Sequence, residues 1–278
     1  MVRQILARVR FIVVFWIVAT SLAQPPPAQP ETKSPVPLVR AHAHNDYEHA
    51  RPLLDALDHG FCGVEADIWL VEGKLLVAHD RDKVRTERTL EALYLERLRQ
   101  RVKENGGRVY RNGPGFMLLI DIKSNGEATY AALREVLKGY ADVLTEFRTS
   151  ETRTNAITVV ISGNRPREMM KGEAVRYAAY DGRLTDLDSS ESANFTSLIS
   201  DNWRQHFKWL GTSPMPESEK EKLRSIVSRC HAAGRKVRFW ATPDKPEFWK
   251  ELLDAGVDLI NTDDLDGLQG FLRSRRVK

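Results

Sequence analysis

The sequence is poor in cysteine, in long apolar runs and in surplus charge, and each shortage narrows the reading. Cys62 and Cys230 are the only cysteines in 278 residues, so at most one disulfide can form. Cys62 opens a strand-like run and Cys230 closes a helical one. A single bridge and two separate buried thiols both suit that placement. The strongly apolar stretch over residues 11–19 is shorter than the about 20 residues that cross a bilayer. Arg3, Arg8 and Arg10 precede it and Ser21-Leu22-Ala23 follows it, so residues 1–23 read as a secretory signal peptide. An uncleaved membrane anchor is the alternative. No cysteine stands at the cleavage position, which argues against a lipoprotein. Lys and Arg number 42 against 38 Asp and Glu. Without the three arginines of the signal the net charge is about +1. No basic stripe with interleaved aromatics remains, so there is no electrostatic case for nucleic acid.

Residues 24–37 are rich in Pro, Gln and Ser and read as a disordered linker. The remainder, residues 38–278, has the size of a single α/β barrel domain, and neither an internal repeat nor a second domain boundary is visible. Strand-length apolar runs alternate with helical patterns throughout, the sign of βα units. The expected strands span 36–40, 62–68, 74–78, 117–122, 156–161, 174–179, 196–200, 236–241 and 257–261. The expected helices span 52–59, 90–103, 128–147, 217–233 and 246–255, with a short one near 203–209. The run at 74–78 follows its predecessor across Val71-Glu72-Gly73, a hairpin spacing rather than a crossover. Setting that excursion aside leaves eight strands, which predicts a TIM (β/α)8 barrel.

What the chain does have is a polar cluster wherever an early strand ends. His42-Ala43-His44-Asn45-Asp46 follows the first apolar run. Glu65-Ala66-Asp67 ends the second, His79-Asp80 follows the hairpin arm, and Asp121-Ile122-Lys123 ends the next. Glu65 and Asp67 share one strand face. Two ionised carboxylates inside a barrel are costly unless a cation joins them. With Asp121 they offer hard oxygen donors suited to one divalent ion, Mg2+ or Ca2+. Histidines serve as acid and base near neutral pH, so His42 or His44, with His79, could flank a phosphorus atom. Lys123 would offset charge on its oxygens. Among the later strand ends, Asn164, Arg165, Asp181, Asp201, Asn202 and Asp263 can line the substrate side. The Arg165 fork suits a phosphate oxygen.

The stretch HAHNDYEHARPLLDALDHGFCGVEADIWLVEGKLLVAHD resembles the opening of the glycerophosphodiester phosphodiesterase superfamily, which includes the phosphatidylinositol phospholipase type. LLIDIKS is similar to its next motif. RKVRFWATPDKPEFWKELLDAGVDLINTDDLDGLQGFL is similar to its last two strands. The family usually has His-Arg-Gly where this chain has His42-Ala43-His44, and its Glu-Asn-Thr is absent. The His42 to Asn45 spacing is closer to the sphingomyelinase D branch. HAHNDY itself resembles a branch that includes a fungal protein linked to mitochondrial inheritance.

The resemblance implies a PLC-like phosphodiesterase barrel with one divalent metal ion. It matches Glu65, Asp67 and Asp121 to the metal ligands, and His42 and His79 to the acid/base pair. It matches Lys123 to a phosphate-contacting lysine and Trp240 to an aromatic wall. His42 is nearer the strand body than His44, so His44 is expected to support rather than to transfer protons. The expected substrate is a small-molecule or lipid phosphodiester of the glycerophosphodiester or phospholipid type. A lipid substrate would bring peripheral membrane contact, and no obligate protein partner is evident. The expected location is secreted or periplasmic.

Three other readings compete. A zinc hydrolase could use His42 and His44 as a ligand pair, but no strand end after His79 carries the further histidine it needs. A glycoside hydrolase could use the paired carboxylates, but it leaves the histidines idle. A secreted binding barrel without activity would not need both histidines and the whole acidic set.

Overall fold

A computed structural model describes residues 35–276; the expected signal peptide and most of the expected linker lie outside the described residues. The barrel strands and their hairpin excursion are β1 (Leu38–Ala43), β2 (Phe61–Val71), β3 (Lys74–Val77), β4 (Phe116–Ile122), β5 (Ile157–Gly163), β6 (Ala179–Gly182), β7 (Thr196–Asn202), β8 (Lys236–Trp240) and β9 (Leu259–Thr262). Eight of them run parallel in the order β1-β9-β8-β7-β6-β5-β4-β2, and β2 pairs back onto β1 to close the ring. The remaining strand, β3, pairs antiparallel with the end of β2. This is the expected closed (β/α)8 barrel with its hairpin excursion.

The period of two along each strand sorts side chains into two cores. Val64, Ala66, Ile120, Val159, Ile161, Val237, Phe239 and Ile260 pack with the surrounding helices in one cluster. Leu119, Val160, Ala179, Leu198 and Leu259 belong to a second, smaller cluster. Two residues further along their strands, the same faces carry Asp121, Ser162, Asp181, Ser200 and Asn261. The barrel interior therefore changes from apolar to polar at the C-terminal ends of its strands, where βα loops build sites. Register reinforces this. Asp67 of β2 stands directly beside Asp121 of β4, and Asp121 beside Ser162 of β5.

Two expected elements are corrected. The helix expected over 128–147 is Gly126–Lys138, started by Asn125, whose side chain accepts from the Ala128 N–H at 3.0 Å. Gly139 closes it, and the chain beyond turns extended to form Glu146–Arg148. The strand expected over 174–179 divides. Val175–Arg176 joins a small antiparallel sheet with Glu146–Arg148 and Thr152–Arg153. The barrel strand begins later, where Ala179 pairs with Val160 of β5. A continuous apolar run across Tyr177–Tyr180 hides that break in the sequence. Cys62 and Cys230 are both buried, and no disulfide joins them. Among the described residues, no helix is long and apolar enough to cross a membrane.

Candidate active site

A cavity of about 150 Å3 opens at the C-terminal end of the barrel. It is lined by His44, Asn45, Glu65, His79, Asp121, Lys123, Ser162, Arg183, Arg238 and Trp240. Ligand oxygens of Glu65, Asp67 and Asp121 all lie within 4.8 Å of one another. Asp67 is fully buried. Its Oδ2 is surrounded by the Tyr47 hydroxyl at 2.7 Å, His79 Nδ1 at 2.8 Å and Lys123 Nζ at 3.0 Å. Its Oδ1 has no hydrogen-bond partner. A buried carboxylate oxygen without a donor, beside two further carboxylates, fits a metal ion. The donor set is all oxygen, so the triad can hold a hard divalent cation. Gly163 makes the room. It sits at φ +68°, and a Cβ there would fall 2.2 Å from Asp121 Oδ1.

The electrostatics agree with that fit. Burial, then the charge of Glu65, pushes the Asp121 carboxyl up to about 6 and raises Asp67 as well. Glu65 goes the other way. Burial opposes its charge, but the Arg238 guanidinium bound to it holds its carboxyl well below the usual range. Arg238 is itself buried, and its Nε donates to Asn261 Oδ1 at 2.8 Å. Lys123 reaches both Asp67 and Asp121, the latter at 3.2 Å. Burial works against its ammonium, yet the two carboxylates raise its pKa above the usual value.

The two first-strand histidines lie at different depths. His42 is fully buried and is not among the side chains that line the cavity. Both its ring nitrogens lack hydrogen-bond partners. Its Nε2 is 3.8 Å from Glu65 Oε2, beyond hydrogen-bond reach. Burial, then the neighbouring Arg238 charge, lowers its pKa to about 4. His44 instead lines the cavity, with Nδ1 2.8 Å from Asp263 Oδ1. Burial pulls its pKa down, but the Asp263 hydrogen bond and the Glu65 charge leave it raised. The expectation that His42 would face the substrate and His44 would support it is therefore reversed in exposure. The cause is strand length, since β1 runs on to Ala43 through pairing of His42 with Asn261 and of Ala43 with Thr262.

His79, at the end of the hairpin arm, is half exposed and turns Nδ1 toward Asp67. Asp263 stands on the rim beside His44 and Asn45, where it holds the imidazole rather than lining the cavity. Arg165 is also outside the cavity. Its backbone follows the left-handed Gly163, and its guanidinium lies over the Tyr180 ring, 4.9 Å from the centroid. The sequence-based placement of Arg165 on a phosphate is corrected accordingly. Asn164 donates to the Lys123 and Ser124 carbonyls, Asp201 accepts from the Leu184 N–H, and Asn202 caps the helix Trp203–His206. Trp240 lines the cavity. Arg183 and Arg238 do so without having been anticipated. The available signal was their spacing, two residues after Asp181 and two before Trp240.

Comparison with known proteins adds to this geometry. Residues 31–110 match the AIM6-like phosphodiesterase domain, and residues 236–266 match the glycerophosphoryl diester phosphodiesterase family. The altered inheritance of mitochondria protein 6 of Eremothecium gossypii is 33% identical over 270 residues, covering 84% of this chain and 69% of that protein. The chain belongs to this family. A homolog from Arthroderma benhamiae is 29% identical over 271 residues, covering 85% of this chain and 84% of its own. A solved glycerophosphodiester phosphodiesterase from Parabacteroides distasonis superposes with a TM-score of 0.52 at 16% identity, covering 85% of this chain and 98% of that one. The fold of this family member is thus the one that glycerophosphodiester phosphodiesterases use.

Proposed function

We propose that this family member is a metal-dependent phosphodiester hydrolase in which His44 and His79 exchange protons with the substrate. The carrying observation is their shared arrangement. Each imidazole presents Nδ1 to a carboxylate at 2.8 Å, His44 to Asp263 and His79 to Asp67. A carboxylate accepting from Nδ1–H fixes the tautomer and leaves Nε2 to take up and release the transferred proton. The two rings reach one cavity from the ends of β1 and β3, beside the acidic triad. One takes the proton of the attacking hydroxyl, and the other gives a proton to the leaving alkoxide.

Glu65, Asp67 and Asp121 would hold the cation, which when bound supplies a Lewis acid for the non-bridging phosphate oxygens. Asp67 has a double part. Its Oδ1, which has no hydrogen-bond partner, would be the atom offered to the cation, while its Oδ2 orients His79, Lys123 and Tyr47. Lys123 keeps positive charge beside the phosphate, and the Trp240 ring walls one side. The deep His42 packs beneath Glu65, and Gly63 is the residue that admits it. A Cβ at position 63 would lie 2.6 Å from His42 Nδ1. Its part is to shape the floor of the site.

Glycerophosphodiesters and phospholipids are the substrate types to test first. The decisive experiment is phosphorus NMR of products from a panel of such phosphodiesters, with and without chelator. A monoester or a cyclic phosphate formed only in the presence of a divalent cation supports the proposal. Turnover that survives exhaustive chelation, or no turnover of any diester with the protein folded and metal present, refutes it.

A further inference from the structure

Three cationic side chains line the cavity, and two of them are committed to the acidic triad. Lys123 is shared by Asp67 and Asp121, and Arg238 is bound to Glu65 and Asn261. Arg183 is not. It follows β6, the strand diametrically opposite β1 in the ring, and so approaches the cavity from across the barrel from His44.

Its mounting is built into the core. Asp181 is fully buried, and its Oδ2 accepts from Ser162 Oγ, Ser200 Oγ and Arg183 Nη1, each at 2.7 Å. Ser162 and Ser200 come from β5 and β7, the strands on either side of β6, and Arg183 follows β6 itself. Arg183 Nη1 also reaches the Gly182 and Ser200 carbonyls, and Nη2 reaches Ser162 Oγ at 3.3 Å. The backbone is pinned too. The Arg183 N–H donates to Asp186 at 2.9 Å and the Leu184 N–H to Asp201 at 3.0 Å. These bonds engage Nη1 and one edge of Nη2. A guanidinium has five donors, so Nε and the rest of Nη2 remain for an anion in the cavity.

We infer that Arg183 is the phosphate-binding arginine of this site, held by Asp181 and the Ser162 and Ser200 hydroxyls opposite His44. This rests on reading the mouth as a phosphodiester site and adds the residue that receives the phosphate oxygens. A phosphate there lies between a proton-carrying imidazole on one wall and a fixed guanidinium on the other. Preorganisation by a buried carboxylate means that no side chain must be ordered when the anion arrives.

The test is calorimetric titration of the magnesium-loaded full chain with inorganic phosphate. The wild type is compared with Arg183→Gln, Arg183→Lys and Arg165→Gln. Loss of a charge-assisted pair of hydrogen bonds predicts roughly 10- to 100-fold weaker phosphate binding by Arg183→Gln. Arg183→Lys keeps a cation beside Asp181 but loses the fork, so it should fold and bind several-fold more weakly. Arg165→Gln should bind like the wild type. Wild-type affinity in the Lys variant and in a folded Gln variant overturns the assignment of Arg183 while leaving the phosphate site standing. Loss of binding by Arg165→Gln alone overturns it in favour of that arginine. If the wild type itself binds no phosphate, the phosphodiester reading falls, and this inference with it.

Discussion

Exchanging the roles of the two first-strand histidines gives the sharpest test of the proposed chemistry. His44 and His42 lie two residues apart on one strand face, yet only His44 lines the cavity. Replacing His44 by Ala removes a proton carrier whose ring is held by Asp263 at 2.8 Å. A positioned general acid or base contributes about 100- to 10,000-fold, so kcat should fall by at least about 100-fold. Stability should change by under about 1 kcal/mol, since the ring is partly exposed and its partner Asp263 is largely solvated. His42→Leu should behave in the opposite way. It keeps most of the buried volume and removes a neutral ring without hydrogen-bond partners, so its cost is one of shape, about 1–3 kcal/mol. In a domain of this size that is a drop in Tm of a few degrees to about 10 °C, with turnover retained within about tenfold. The assay is steady-state hydrolysis of whichever diester the product screen identifies, alongside thermal unfolding of each variant. A folded His42→Leu enzyme without turnover, beside an active His44→Ala enzyme, would refute the argument from depth.

Three further outcomes follow from particular contacts. Arg238→Met leaves Glu65 buried without its guanidinium, so the metal-free protein should lose about 3–5 kcal/mol, while the rise in Tm on adding Mg2+ or Ca2+ should grow; thermal shifts with and without metal read both, and an unchanged metal response would show that Arg238 does not compete for Glu65. Gly163→Ala must hold φ +68° and place a methyl 2.2 Å from Asp121 Oδ1; it should cost more than about 1 kcal/mol and abolish the metal-induced shift, and a variant that keeps full metal response would show that Asp121 is not a ligand. His59, against the Asp55 carbonyl and the Asp266 carboxylate, has its pKa raised, burial being outweighed by those two partners. Its stabilisation is complete below the unfolded value of about 6.5 and is lost as pH rises through the higher folded value. The difference in urea stability between wild type and His59→Gln, under about 1 kcal/mol because Asp266 is solvated, should therefore be larger at pH 5.5 than at pH 8.5; a difference that grows with pH would contradict the pairing.

The barrel was legible because each strand has two kinds of neighbour and one period. Where an apolar run ends in Glu-x-Asp or Asp-x-Lys, alternation alone places those groups together on the inner face, and Asp67 does stand beside Asp121 in register. Depth was not legible. The first apolar run stops near Arg40, but β1 continues to Ala43 because β9 pairs with it. That extension carries His42 below the floor and brings His44 to the rim. Nor was the departure of Arg165 visible. It depends on the left-handed turn at Gly163, which the local sequence does not announce. Arg183 was missed for a related reason. Asp181 was seen as a strand-end acid, but its three donors come from β5, β7 and the residue two further along, and only closure of the ring assembles them.

Charge sets why such an assembly is needed. Around the cavity Glu65 is matched by Arg238 and Asp181 by Arg183, whereas Asp67 and Asp121 share one Lys123. The acidic triad is therefore short by one positive charge, and burial together with the charge of Glu65 raises the carboxyls of Asp67 and Asp121. A divalent cation would more than supply it and would turn the mouth net positive, the condition for attracting the phosphodiester anion of the proposed reaction. Arg183 stands outside that exchange because its own carboxylate partner is buried on the far wall. Its positive charge remains beside the cavity whether or not the triad is loaded. A phosphate oxygen then has a fixed partner on the β6 side and a cation-dependent one on the β2–β4 side. Removing the metal should weaken phosphate binding without erasing it, whereas removing Arg183 as well should erase it.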